Sequence, residues 1–175
     1  MAKGAGSSMD AASFATVART TSAEQTKQVA ACLATCLQPD DVILFTGDLG
    51  AGKTQFVQGV AAQLGVADAV TSPTFNILVS YEGGRLPLHH FDLYRLEDPE
   101  ELDDIAFYET VEGGGASFVE WSEKFPDHMP EDALHIDLGV DLEHPDHRVI
   151  RAFAEGFRAS QLLEGWKEAL QKEGA

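Results

Sequence analysis

One stretch, Gly47-Asp48-Leu49-Gly50-Ala51-Gly52-Lys53-Thr54, leaves few folds open to this chain. It fits the pattern G-x-x-x-x-G-K-[ST] at every fixed position. Asp41 to Thr46 before it reads as a buried parallel strand, and Lys53 to Leu64 after it reads as a helix closed by Gly65. Glycines let such a loop turn tightly and bring its N–H groups close to phosphate oxygens. The partial positive charge of the helix N-terminus adds to that field. In this arrangement Lys53 reaches the β- and γ-phosphates and the Thr54 hydroxyl coordinates Mg²⁺. The competing reading is a chance glycine-rich turn, which explains neither the strand before nor the helix after. Gly47 through Thr54 are therefore expected to cradle a nucleotide.

The 175 residues suit one domain, expected over 13–175 behind a flexible tail at 1–12. No apolar run approaches the roughly 20 residues that span a bilayer, and the start lacks the apolar core of a signal peptide. A cytoplasmic protein without membrane contact is expected. Cys32 and Cys36 lie four apart on one face of a predicted helix, where a small buried pair is favoured over a disulfide or metal site. The net charge of −17, from 12 basic and 29 acidic residues, is more informative. Binding nucleic acid through its phosphates needs clustered Lys and Arg. Any role on RNA is thus expected to run through a partner; a merely solubilising acidic surface is the alternative.

Taken in order, Phe14 to Arg19 reads as a first strand. Either Thr21 with Glu24 or Ser22 with Gln25 offers a capping box for a helix running to about Leu37. Thr71, Ser72 and Thr74 surround Pro73, and read equally well as a γ-phosphate sensor or as a polar turn. Asn76 to Tyr81 and Leu86 to Leu93 read as a β-hairpin. His89 and His90 point to opposite faces of a strand and cannot share one metal. Asp92 ends that strand, near the expected metal or attacking water. Asp98-Pro99 opens a helix predicted to continue weakly toward Val111. Ala116 to Trp121 is a short strand carrying Glu120 at its end, where P-loop proteins place an acid for Mg²⁺ or water. Glu120 suits that role better than Asp92; a surface acid is the alternative. Ala133 to Leu138 and Arg148 to Phe153 read as late strands, with His144 and His147 in a solvated loop between them. The last helix is expected over Ser160 to Gln171.

A GTPase would carry N-K-x-D, but the sole asparagine, Asn76, is followed by Ile77. A small-molecule kinase would want a basic lid, and Leu96 to Gly115 contains no Lys or Arg. A free-standing P-loop kinase nevertheless stays open as the alternative.

The chain resembles the TsaE (YjeE-type) ATPase family of tRNA threonylcarbamoyladenosine synthesis. The phosphate loop, Ser72-Pro73-Thr74-Phe75, His90-Phe91-Asp92-Leu93-Tyr94-Arg95, Asp98-Pro99-Glu100-Glu101-Leu102 and Val119-Glu120-Trp121 occur in the family's order. The resemblance implies an α/β P-loop NTPase-like fold of three layers with a mixed, partly parallel sheet. It implies ATP and Mg²⁺ as ligands, with Lys53 on phosphate, Thr54 and Glu120 on the metal, and Asp92 as a further acid for hydrolysis. Thr26 near the adenine and Arg148 near the nucleotide are also implied, and Thr74 joins the expected nucleotide contacts. The partners it implies are the subunits TsaB and TsaD, which modify adenosine 37 of tRNAs reading codons that begin with A, so tRNA is met indirectly.

Overall fold

The computed structural model describes residues 14–174; the tail expected over residues 1–12 lies outside them. Seven strands and five helices follow in the order β1 (Ala15–Thr20), α1 (Ala23–Ala34), β2 (Val42–Thr46), α2 (Lys53–Leu64), β3 (Leu78–Tyr81), β4 (Leu88–Asp92), α3 (Glu101–Asp104), α4 (Phe107–Val111), β5 (Ala116–Glu120), β6 (Ala133–Val140), β7 (Arg148–Glu155) and α5 (Phe157–Glu173). One sheet orders them β1-β7-β6-β2-β5-β4-β3. Its centre, β6-β2-β5-β4, is parallel, and antiparallel pairs close both flanks. The mixed, partly parallel sheet of the sequence reading is what forms.

β2 is apolar on both faces because both are covered. Ile43 and Phe45 pack with Leu33, Phe56, Val60 and Trp166 from α1, α2 and α5. Val42 and Leu44 pack with Leu102, Phe107 and Val111 from α3 and α4. Phe56 stands edge-on to Phe45 at 5.3 Å and to Trp166 at 6.0 Å, which seats α2 directly behind the loop it follows. Gly59 lets α1 approach α2: a Cβ there would collide with the Lys27 carbonyl oxygen.

Local signals decide most element ends. Of the two possible caps, Ser22 supplies the one that forms: Ser22 Oγ accepts the Gln25 N–H at 3.2 Å, while Gln25 Oε1 reaches past it to accept the Thr21 N–H at 2.7 Å, a variant of the capping box. The helix stops at Ala34, short of the expected Leu37, although Leu37 remains buried. The helix predicted from Asp98 to Val111 breaks in two at Ala106, whose φ is 53°. Leu102 and Phe107 both enter the same core, yet five residues on a continuous helix turn side chains about 140° apart. The break rotates Phe107 inward. The last helix begins at Phe157, three residues earlier than expected.

Arg158 fastens this last helix to the approach of β2. Its Nε and Nη2 donate to the Asp41 carboxylate at 2.8 and 2.7 Å, and Nη2 also donates to the Cys36 carbonyl at 2.9 Å. Asp41 is 3% exposed, so removing its cation leaves a buried charge uncompensated. Arg158→Ala is expected to lower unfolding free energy by about 3 kcal/mol. Urea denaturation checks this, and a loss under about 1 kcal/mol, the range of exposed pairs, would sink it.

Burial lowers the pKa of His89 and of His135, in each case against an opposing carboxylate, Glu82 and Glu155 respectively. The folded state therefore favours the neutral rings, so their contribution is present above the unfolded value near 6.5 and is lost as pH falls below it. Unfolding free energy should drop between pH 7 and pH 5.5, and drop less in His135→Gln. An equal slope in wild type and variant would remove His135 from the account.

Candidate nucleotide site

Parallel register brings the functional ends of the strands level. Phe45 in β2 pairs with Glu120 in β5, and Glu120 pairs with Asp92 in β4. The loop Gly47–Gly52 leaves β2 at this same carboxyl edge, where open α/β sheets bind ligands. Gly47 has a φ of 141°, and a Cβ there would lie 2.8 Å from the Leu138 carbonyl oxygen, so the turn admits no side chain. The first bond of α2 runs from the Phe56 N–H to the Gly52 carbonyl at 2.9 Å. N–H groups ahead of it in the first turn have no intrahelical acceptor and suit an anion. A cleft of about 250 Å³ opens here, lined by Lys53, Thr54, Ser72, Thr74, Asp92, Glu120 and Trp121 among others.

Lys53 Nζ donates to the Gly47 carbonyl at 2.9 Å and lies 4.0 Å from Glu120 Oε1. It also stands 5.7 Å from the centre of the Trp121 ring. Asp92 ties together two turns of the cleft wall: Oδ2 accepts the Thr74 hydroxyl at 3.1 Å and Oδ1 accepts the Tyr94 N–H at 3.0 Å. Ser72 Oγ is 2.8 Å from Thr74 Oγ1, so the hydroxyl loop hangs from a carboxylate. Trp121 follows Glu120 with a φ of 63°, an uncommon conformation for a bulky residue. Its ring rests 5.0 Å from Tyr94. Lys124 Nζ donates to the Tyr94 and Leu96 carbonyls, tying the segment after β4 to the turn after β5.

The other expected residues fall in different places. Arg148 lies beside the phosphate loop and grips its backbone: Nε donates to the Ala51 carbonyl at 2.7 Å and Nη2 to the Gly50 carbonyl at 3.2 Å. Thr26 does not line the cleft. Its hydroxyl is buried between α1 and β1, 2.8 Å from Thr20 Oγ1. Within the loop Ala51 is buried, while Asp48 and Leu49 are exposed. His144 and His147 stack at 4.6 Å beside Asp141 in the β6–β7 loop and are not among the residues that line the cleft. The sequence reading missed two features. Asp137, midway along β6, lies beside Thr46 and is bound by Arg151 at 2.6 Å. His90 is fully buried with its Nε2 3.7 Å from Glu120 Oε2. The first was visible only as an acid inside a predicted strand; both needed the register to show what they meet.

Comparison with known proteins shows the family. Residues 20–150 match the family model for TsaE, the threonylcarbamoyl adenosine biosynthesis protein. The chain belongs to the TsaE family. The tRNA threonylcarbamoyladenosine biosynthesis protein TsaE of Bacillus subtilis is 40% identical over 146 residues, covering 83% of this chain and 90% of that protein. The corresponding protein of Rickettsia conorii is 43% identical over 145 residues, 82% of each chain. The crystal structure of Bacillus subtilis YdiB superposes with a TM-score of 0.73 at 35% identity, covering 89% of this chain and 94% of the other. The P-loop fold is thus shared with a solved member. Among the described residues no helix is long and apolar enough to cross a membrane.

The donor set suits a hard cation held beside phosphate. The Thr54 hydroxyl and the carboxylates of Asp92 and Glu120 border one cleft, and oxygen-only sites with room for water and phosphate are what Mg²⁺ takes. Arg148 offers a test of loop shape. Losing its charge-assisted bonds to Ala51 and Gly50 should weaken nucleotide binding by about tenfold in Arg148→Ala, roughly 1.4 kcal/mol. Titration with a fluorescent nucleotide reads this directly, and unchanged affinity would mean the loop keeps its form unaided.

Proposed function

We propose that the chain is an ATP-binding and ATP-hydrolysing subunit that supports a TsaB–TsaD type complex forming N6-threonylcarbamoyladenosine at position 37 of tRNA. The observation that carries the reading is the convergence of Lys53, Glu120 and Asp92 on one cleft at the carboxyl edge of β2, β5 and β4. Relatives named for this biosynthesis supply the biological setting. In this reading the backbone of Gly47–Thr54 cradles the phosphates, and Lys53 turns from the Gly47 carbonyl to the β/γ oxygens. Thr54 and Glu120 hold Mg²⁺, which when bound neutralises charge on the transferring phosphoryl group. Asp92 orients the attacking water or its hydrogen-bond network, and Thr74, which donates to Asp92, couples the hydroxyl loop to that event.

The net charge of −17 fits contact with tRNA through a partner. A loop ordered by γ-phosphate and relaxed after hydrolysis would give ATP and ADP states different partner affinities. Phosphate release should rise when TsaB, TsaD and tRNA are added to the chain, with no phosphorylated small molecule formed; a phosphorylated acceptor would favour the kinase instead. Lys53→Ala should lose at least about tenfold, roughly 1.4 kcal/mol, in binding or turnover. Glu120→Ala and Asp92→Ala should slow hydrolysis more than they weaken ATP binding. Normal turnover in all three variants would sink this assignment.

A further inference from the structure

We propose that His90 is a positioning residue that fixes the Glu120 carboxylate for metal binding. The inference rests on the role given to Glu120 above. His90 lies in β4, two residues before Asp92, and pairs across the sheet with Phe118, two residues before Glu120. Residues two apart in a strand share a face, so the ring sits one pleat behind both carboxylates, on the core side. It has no exposed surface. Among the described residues neither ring nitrogen has a hydrogen-bond partner, and the nearest charged atom recorded is Glu120 Oε2, 3.7 Å from Nε2.

A buried polar ring without a partner is costly, and an apolar residue would fill this place in the core at less cost. The geometry identifies what the ring is poised for. Glu120 stands between two donors, each slightly beyond hydrogen-bond reach: Lys53 Nζ at 4.0 Å on the cleft side and His90 Nε2 at 3.7 Å on the core side. When Lys53 moves to phosphate, Glu120 loses the first. A shift of a few tenths of an ångström then lets Oε2 accept the Nε2 proton, leaving Oε1 aimed into the cleft. Metal-binding carboxylates are commonly oriented by such a donor, and its loss typically costs about 10- to 100-fold in metal affinity. The two histidines of the strand thereby divide: His89, on the other face, bonds Ser80 Oγ at 2.8 Å and holds the hairpin, while His90 serves the cleft.

The test measures Mn²⁺ affinity by paramagnetic resonance, with the chain saturated by a non-hydrolysable ATP analogue. His90→Phe keeps the ring volume and removes the donor; it should bind Mn²⁺ about tenfold more weakly. His90→Gln restores an N–H near the Nε2 position and should recover most of that loss. Should His90→Phe fail to fold, His90→Asn replaces it, since its shorter amide does not reach Glu120. If His90 acts through Glu120, adding His90→Phe to Glu120→Ala should cost nothing further, whereas independent effects would add. Unchanged affinity in His90→Phe, equal losses in the Phe and Gln variants, or additive losses in the double variant would each overturn the proposal. Wild-type Mn²⁺ affinity in Glu120→Ala would instead overturn the metal role of Glu120 itself, which separates the two failures.

Discussion

The parallel pairing of β2 with β5, and of β5 with β4, determines where charge can stand in this molecule. Parallel neighbours end at the same edge, so an acid at the last position of each strand is delivered to the place where the phosphate loop leaves β2. A buried carboxylate there is tolerable only with compensation. Lys53 and the free N–H groups of α2 stand nearby, and Asp92 is satisfied by Thr74 and Tyr94. The antiparallel flanks bring no acid to the cleft lining. They shield the central strands, and through Arg148 at the start of β7 they hold the loop from outside.

What could be read in the sequence was whatever depends on short spacing. The phosphate loop is eight consecutive residues, its strand and helix adjoin it, and Asp92 and Glu120 are legible as acids closing apolar runs. The Ser22–Gln25 cap was also local, though two overlapping candidates competed until the structure chose. Features set by register were hidden. His90 reads as one of a histidine pair, and only the alignment of Phe118 with it places the ring behind Glu120. Arg148 was expected near the nucleotide, but its target, the loop backbone, belongs to a segment nearly a hundred residues away. The break at Ala106 escaped because helix periodicity says nothing of a core that must receive both Leu102 and Phe107.

The acidic composition gains meaning beside this site. In a chain of net charge −17, a site for a polyanion depends on short-range donors, since the long-range field is repulsive. The backbone N–H groups of the loop and the Lys53 ammonium act at contact distance, where screening is weak. Attraction at a distance is left to other molecules.

Trp121 and Trp166, the two tryptophans of the chain, occupy opposite extremes. Trp166 is sealed in the core, its indole N–H on the Val29 carbonyl at 3.0 Å. Trp121 stands at the mouth of the cleft with the Lys53 ammonium 5.7 Å from its ring. A cation near an indole changes its emission. If Lys53 turns to phosphate as proposed, the Trp121 indole would report the filling of the cleft, with the second indole as an internal reference.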